Sequence, residues 1–317
     1  MRAVFATYRA HLAFKAQAKL NQIAHLPPHL LKRKRQSFRK TQRAVDALER
    51  RFGDEPISAL TYARLQGVAT KWLGSYGTGS VRAWFALLHA ALEHTADVAL
   101  IPGVPRFPSI PPGEPRQMTM VAGEYELIQP RLPDAAERDA AEFLWLSGWR
   151  PSEPLLLTWP MFRSEPVPHF WLPLTKTRGR VIAIRQSLMV ALIARRRAAR
   201  RRAARRLGCD FVFHRNGRPL TYETFREHWL EAATAAGLPD KKLRDYRRAR
   251  YDRFAAAGVD DEDARGIIGH ESVQVASKHY YVKAALRQAA AFDRETAFEN
   301  SRNTRAGNGS GKAGSPS

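Results

Sequence analysis

Near its C-terminal end the chain carries 269-GHESVQVASKHYYV-282, a histidine, a polar run and two adjacent tyrosines. A phenol is a poor nucleophile unless it is aimed at an electrophile and cationic donors hold the negative charge that develops. Two other segments hold such donors: 147-SGWRPSEPLLLTW-159 with Arg150, and 243-LRDYRRARYDRFAAAGVD-260 with Arg244, Arg247 and Arg248. Guanidinium forks stay charged and pair bidentately with phosphate oxygens. Types and spacing therefore point to three separated pieces of chain converging on one phosphate.

Each of these residues also has an ordinary reading. Arg150 can pair with Glu153 one turn later, a surface contact of small energetic weight. His270 follows a glycine at a helix junction and can serve as a cap or a packed ring. Tyr280 and Tyr281 can both be core aromatics, and because adjacent helical residues diverge by about 100°, only one can face a phosphate.

Such a site acts on a polyanion, and the composition agrees. The 317 residues include 52 Lys and Arg against 30 Asp and Glu, a formal net charge of +22 that attracts nucleic acid. A 44% hydrophobic content marks a globular chain long enough for two domains. No apolar run reaches the roughly 18 residues of a membrane span. The N-terminal stretch is interrupted by Arg9, His11, Lys15 and Lys19, unlike a secretory signal. Cys209 is the sole cysteine, which excludes a disulfide framework and a multi-cysteine zinc site. A cytoplasmic, nucleoid-associated protein is expected.

The elements that must position the site follow from periodicity and punctuation. Residues 1–25 form an N-terminal extension, helical but without a clear partner. Helices are expected over 31–52, 59–73 and 81–97, the last with Val81, Trp84, Phe85, Leu88, Ala91 and Leu92 on one face. Six prolines and two glycines in 101-IPGVPRFPSIPPGEP-115 mark a semi-extended linker. Beyond Met118, helices are expected over 122–132, 134–147, 152–157, 187–206, 221–236, 245–257, 261–268 and 272–295. A hairpin over 169–184 turns at 175-TKTRGR-180, and 211-FVFH-214 is strand-like. The Gly-, Ser- and Asn-rich tail 301–317 is expected to be disordered.

Taken together, these residues resemble the catalytic domain of the tyrosine recombinases, the phage-integrase family, over Met118 to Phe298. The Gly-x-Arg-x-Ser-Glu signature is matched by Gly148, Arg150, Ser152 and Glu153. The hairpin lysine falls on Lys176, with Arg178 and Arg180 as nearby substitutes. The second signature lands on Arg244 and Arg247, the Leu-Gly-His motif on Ile268, Gly269 and His270, and the nucleophile on Tyr280, with Tyr281 one step away. Where the family has histidine this chain has Arg244, which donates but cannot act as a base near neutral pH.

The resemblance implies a mainly α fold with a small antiparallel β-sheet: an all-helical, SAM-like core-binding domain over 26–100, a Pro-rich linker over 101–117, a catalytic domain over 118–299 and a tail over 300–317. The two domains are expected to close as a C-shaped clamp on duplex DNA. It implies a site-specific recombinase or integrase of mobile elements, working through a 3′-phosphotyrosyl intermediate. Arg150, Arg247, His270 and Arg244 would contact the phosphate and Lys176 would protonate the leaving oxygen, with no metal and no cofactor. A homotetramer on paired sites, joined through the C-terminal helix, is its expected assembly. Two alternatives remain: a catalytically impaired DNA-binding protein, and a type IB topoisomerase-like enzyme. The arginine run 195-RRRAARRRAARR-206 and the 32-KRKR-35 cluster with Arg39, Lys40 and Arg43 are expected to meet phosphates.

Overall fold

The computed structural model of the protein describes the backbone of residues 1–98, 100–113, 118–173, 179–207, 209–269 and 278–309, and the side chains of these residues apart from 203–207, 278–286 and 303–309. The chain divides into two compact units, Met1–Arg116 and Gln117–Ser317. The architecture is mostly helical with small antiparallel sheets, as expected.

The first unit contains α1 (Arg2–Gln22), α2 (Pro28–Phe52), α3 (Tyr62–Leu73) and α4 (Thr78–Asp97). Pro28 opens α2 where its missing N–H is one the helix would leave unpaired, and Thr61 caps α3 by accepting the Arg64 N–H at 3.2 Å. Val81, Phe85, Leu88, Ala91 and Leu92 of α4 are buried, with Trp84 half-buried beside them. Helix α1 does have partners: Val4, Phe5 and Tyr8 enter the same core, while Phe14 in its second half is exposed. The Pro-rich segment is also more than a spacer. Ile101 is buried, and Val104, Phe107 and Ile110 pack on the same core. Their spacing of three matches the three-residue turn of an extended proline-rich chain, so one side of it is apolar.

The second unit contains α5 (Ala122–Ile128), α6 (Ala135–Ser147), α7 (Ser187–Leu207), α8 (Tyr222–Ala235), α9 (Asp245–Ala256), α10 (Asp261–Ile268) and α11 (Lys278–Gly309). The segment expected as a helix at 152–157 is a single 3-10 turn, Pro154–Leu156. The expected hairpin is the core of a three-stranded sheet in the order β1 (Phe162–Arg163), β2 (His169–Leu172), β3 (Arg180–Ala183), all antiparallel. A second pair, β4 (His214–Arg215) and β5 (Arg218–Pro219), turns at Asn216 and Gly217, both with positive φ. Asn-Gly supplies the left-handed pair of a tight hairpin at low strain.

Every residue of β3 is buried. Its free edge is closed by α11, where Gln288 donates to the Val181 carbonyl at 3.1 Å and accepts the Ala183 N–H at 3.0 Å. A side-chain amide thus replaces a fourth strand and satisfies an edge that would otherwise template pairing. Helix α11 buries Gln288, Ala291, Phe292 and Glu295, an i, i+3, i+4, i+7 stripe, along with Ala289. Ala290, off this stripe, is exposed, and two of the inward positions are polar. Helix α11 also continues past Asn300 to Gly309, into the stretch expected to be disordered, with no proline before Pro316 to stop it; residues 310–317 lie outside the described residues.

Candidate active site

Helix α6 starts on Asp134, whose carboxylate accepts the Ala136 N–H at 2.7 Å, and ends at Gly148 with φ +65°. That left-handed cap turns the chain so that Trp149 is fully buried and Arg150 stands half-exposed beside it. A tight turn follows, closed by the Glu153 N–H on the Arg150 carbonyl at 2.8 Å. Glu153 is 1% exposed, yet fully partnered. Its Oε2 accepts the Arg150 N–H at 3.0 Å and Arg180 Nη1 at 2.5 Å, and its Oε1 accepts Arg150 Nη1 at 3.1 Å.

Arg247 arrives from the first turn of α9. One nitrogen donates to the carbonyls of Gly148 (3.1 Å) and Ile268, and the other to the Gly269 carbonyl at 2.8 Å. Arg180, at the start of β3, donates to the carbonyls of Ile267 (2.8 Å) and Ile268 and lies 4.8 Å over the Trp149 ring. These carbonyls belong to the last turn of α10, which begins on an Asp260 cap and stops at Gly269 with φ +78°. A Cβ at Gly269 would overlap the Arg180 guanidinium, so glycine is required by contact as well as by φ.

Three guanidiniums, Arg150, Arg180 and Arg247, are therefore gathered around one carboxylate, Glu153. Burial, then the like charges of Arg180 and Arg150, pull Arg247 down to about 9, with Glu153 opposing. Burial also pulls Arg180 down to about 10, with Glu153 opposing and Arg150 adding to the fall. Arginine remains charged at neutral pH even so, and the meaning is energetic: the described groups carry two cations more than anions in a place poor in water. An anion entering here gains more than it would at an open surface.

Of the residues expected at the site, Arg150 and Arg247 are brought together. Arg244 is exposed at the N-cap of α9, one turn before Arg247, and enters through its backbone, its carbonyl accepting the Arg247 N–H at 3.2 Å. Tyr280 and Tyr281 are the third and fourth residues of α11, their side chains outside the described residues. His270 and Lys176 lie outside the described residues as well; His270 directly follows the turn that Arg180 and Arg247 hold. Arg180, the other hairpin cation offered beside Lys176, is 6% exposed with its fork engaged on three partners. Its inward position follows from the register, since Arg180 pairs with the buried Leu172 and antiparallel partners share a face.

Four of the six described arginines of the α7 run are engaged within their own unit. Arg195 pairs with Asp139 (3.2 Å) and Glu142, and Arg196 is 4% exposed and donates to the Val212 carbonyl at 2.9 Å. Arg197 lies 4.3 Å over Phe162, and Arg200 meets Asp210 at 2.9 Å. Arg201 and Arg202 are exposed. Aromatic rings and acids on neighbouring elements thus offset the self-repulsion of the run. The cleft of about 630 Å³ between α6 and α7, lined by Arg138, Asp139, Glu142 and Arg195, shares no residue with the guanidinium cluster. Among the described residues there is no His, Cys, Asp or Glu group that could hold a metal ion.

No protein-family profile matches the chain, and no curated protein matches it in sequence. Solved structures do match. The lambda integrase fragment 75–356, a dimer bound to a COC′ core site, superposes over 85% of this chain and 99% of its own at TM-score 0.62 and 14% identity. XerH site-specific recombinase bound to difH matches over 89% and 88% at TM-score 0.58 and 13% identity. The Tn1549 transposon integrase with circular intermediate DNA matches over 86% and 98% at TM-score 0.51 and 16% identity. The fold of this chain is that of the tyrosine recombinases.

Proposed function

We propose that this protein is a site-specific DNA recombinase that cuts and rejoins strands through a 3′-phosphotyrosyl intermediate. The observation that carries the reading is the convergence of Arg150 and Arg247, from well-separated segments, beside a single carboxylate and next to the turn that precedes His270. On this reading the two guanidiniums take the non-bridging oxygens of one phosphate and His270 donates to the same group. The Tyr280 oxygen forms a bond to phosphorus as the bond to the 5′ oxygen breaks. Lys176 protonates the leaving 5′ oxygen, and the phenolic proton passes to water, because the arginine at position 244 cannot accept it. Attack by a 5′ hydroxyl from a second strand reverses the step; the bond energy is kept in the ester, so neither metal nor ATP enters. Exposed Lys32, Arg35, Arg39, Lys40 and Arg43 on α2 would hold the DNA backbone without reading sequence.

The assembly on paired sites is read as a homotetramer, acting in the cytoplasm on nucleoid or mobile-element DNA. Exchange of the C-terminal helix between protomers would use the part of α11 beyond Glu295, since Gln288 to Glu295 is docked on its own unit. The exposed Arg244 favours a second reading, a DNA-binding protein with weakened chemistry. A nicked duplex from the DNA adjoining the coding sequence separates them by trapping a covalent adduct. The adduct is expected with the wild type and with Tyr281→Phe and absent with Tyr280→Phe; no adduct from the wild type leaves the DNA-binding reading standing.

A further inference from the structure

We infer that Arg180 is a positioning residue of the site, a buried guanidinium that keeps Glu153 from sequestering Arg150 and holds the turn that precedes His270. The inference rests on the recombinase reading and extends it to a residue that reading does not use. Arg180 is where three segments meet. It follows the 174–178 stretch that contains Lys176, it binds Glu153 three residues after Arg150, and it binds the carbonyls of Ile267 and Ile268, with His270 two residues on. Trp149 lies beneath its guanidinium and Gly269 against it, so the group is held on several sides.

The charge arithmetic says what this does. Glu153 has two oxygens: Arg180 holds Oε2 at 2.5 Å, an oxygen that also accepts the Arg150 N–H, and the Arg150 guanidinium keeps a single contact, to Oε1 at 3.1 Å. Without Arg180 the carboxylate is free to close a bidentate pair with Arg150, the strongest geometry open to both. Arg150 would then be neutralised where a phosphate needs it. A buried charge at this strand position is also unnecessary for packing, since apolar residues of similar volume often serve as well or better. Its partner across the sheet is Leu172, fully buried.

The test is the rate of adduct formation at saturating DNA, on the same nicked duplex, with a phosphodiester or a neutral methylphosphonate at the cleaved position. If Arg180 acts by keeping Arg150 available to a charged phosphate, Arg180→Met slows cleavage of the phosphodiester by about 10- to 100-fold. Cleavage of the methylphosphonate, which asks less of the arginines, falls by less than about 3-fold. DNA affinity, set by many backbone contacts, stays within about 2-fold. Arg180→Lys keeps the buried charge but has one nitrogen for three acceptors. It is measured in parallel, so that the comparison survives a misfolded methionine variant, and is expected to show the same phosphodiester-selective loss to a smaller degree. Equal losses on both substrates, or wild-type rates in both variants, overturn the inference. A wild type that forms no adduct overturns the enzyme reading and this inference with it.

Discussion

The two units bury different things. Among the described residues of the first unit the only buried polar side chain is Thr95, which spends its hydroxyl on the Ala91 carbonyl. The second unit buries Glu137, Glu153, Arg180, Arg196, Asp245, Arg250, Gln288 and Glu295, among others. Buried charge costs free energy unless it is paired, and it adds little net stability even then. A unit that keeps so much of it is constrained by something other than stability. Two of the buried pairs stand against the proposed chemistry: Arg180 with Glu153 beside Arg150, and Arg250 with Glu295, tying α9 to α11 one turn from Arg247. The first unit is a scaffold that any well-packed apolar set would fill; the second is a frame whose registers are fixed by charge.

The sharpest way to break that contrast is to cut one pair and then remove it whole. Glu295→Ala leaves Arg250 buried without its bidentate partner, and a loss of about 3–5 kcal/mol is expected. Arg250→Met combined with Glu295→Met should recover most of it, because only the uncompensated charge is costly. In the first unit Leu88→Ala should cost about 2–5 kcal/mol, and no second substitution nearby should restore it. Amide hydrogen exchange reads each unit separately, which a single melting curve would not. If the double variant is no better than Glu295→Ala, the pair is doing more than occupying space and the contrast needs redrawing.

Next in size is Arg150→Ala, which should slow adduct formation by about 10²- to 10³-fold, the loss expected for one electrostatic donor. Its side chain is 30% exposed, so hydrogen-exchange protection of α6 should hold. The matching change in the first unit, Arg39→Ala on the exposed face of α2, should instead weaken DNA binding and lower its salt dependence without altering the rate at saturation. Equal effects of the two on the saturated rate would erase the distinction between scaffold and site.

Much of this frame is legible in the sequence, and unequally so. The α4 face, the β2–β3 pairing and the convergence of Arg150 with Arg247 could be read because they rest on periodicity, strand chemistry and motif spacing. The Asn216-Gly217 turn is equally legible, a strong hairpin signal between His214 and Pro219. The inner face of α11 was not legible. Gln288 and Glu295 sit at its buried positions, and hydrophobic patterning assigns polar residues to the solvent side. Arg180 and Arg196 escaped for the same reason: a buried arginine looks like a surface arginine until its partners, here Glu153 and the Val212 carbonyl, are placed by the fold. The partners of α1 were hidden because its apolar contacts are confined to Val4, Phe5 and Tyr8 at one end.

A smaller effect should differ in sign between the units. Gly67, in the exposed interior of α3, has open space where a Cβ would go, so Gly67→Ala should stabilise the first unit by about 0.5–1 kcal/mol. Gly269→Ala adds a Cβ at φ +78°, within 2.7 Å of Arg180 Nε, and should cost the second unit at least about 1–3 kcal/mol. Since the displaced group is Arg180, cleavage should fall together with protection of the α10 C-terminus. Retained cleavage in a destabilised Gly269→Ala variant would mean the turn tolerates movement that the proposed site does not.

The smallest effect is again one of sign, and pH exposes it. In the first unit the Arg9 hydrogen bond holds Glu49 below its ordinary value of 4.5. Its stabilisation is therefore present above that value and is lost as pH falls through the lower, folded-state value. In the second unit burial raises Glu142 above 4.5, although Arg195 opposes the rise. There the ionised form is the disfavoured one, so the penalty is full above the raised value and lifts as pH falls through it. Between neutral pH and about pH 4 the wild type should thus gain protection relative to Glu142→Gln, in the helices α6 and α7 that the side chain bridges. Relative to Glu49→Gln it should hold its advantage down to about pH 4.5 and lose it progressively as pH falls further. The difference is physical and local: Glu49 is near the surface with a cation in direct contact, whereas Glu142 is sunk beside Asp139, and even Arg195 cannot restore what water would have supplied. Parallel pH profiles for the two variants would mean that burial in the second unit is shallower than the packing indicates.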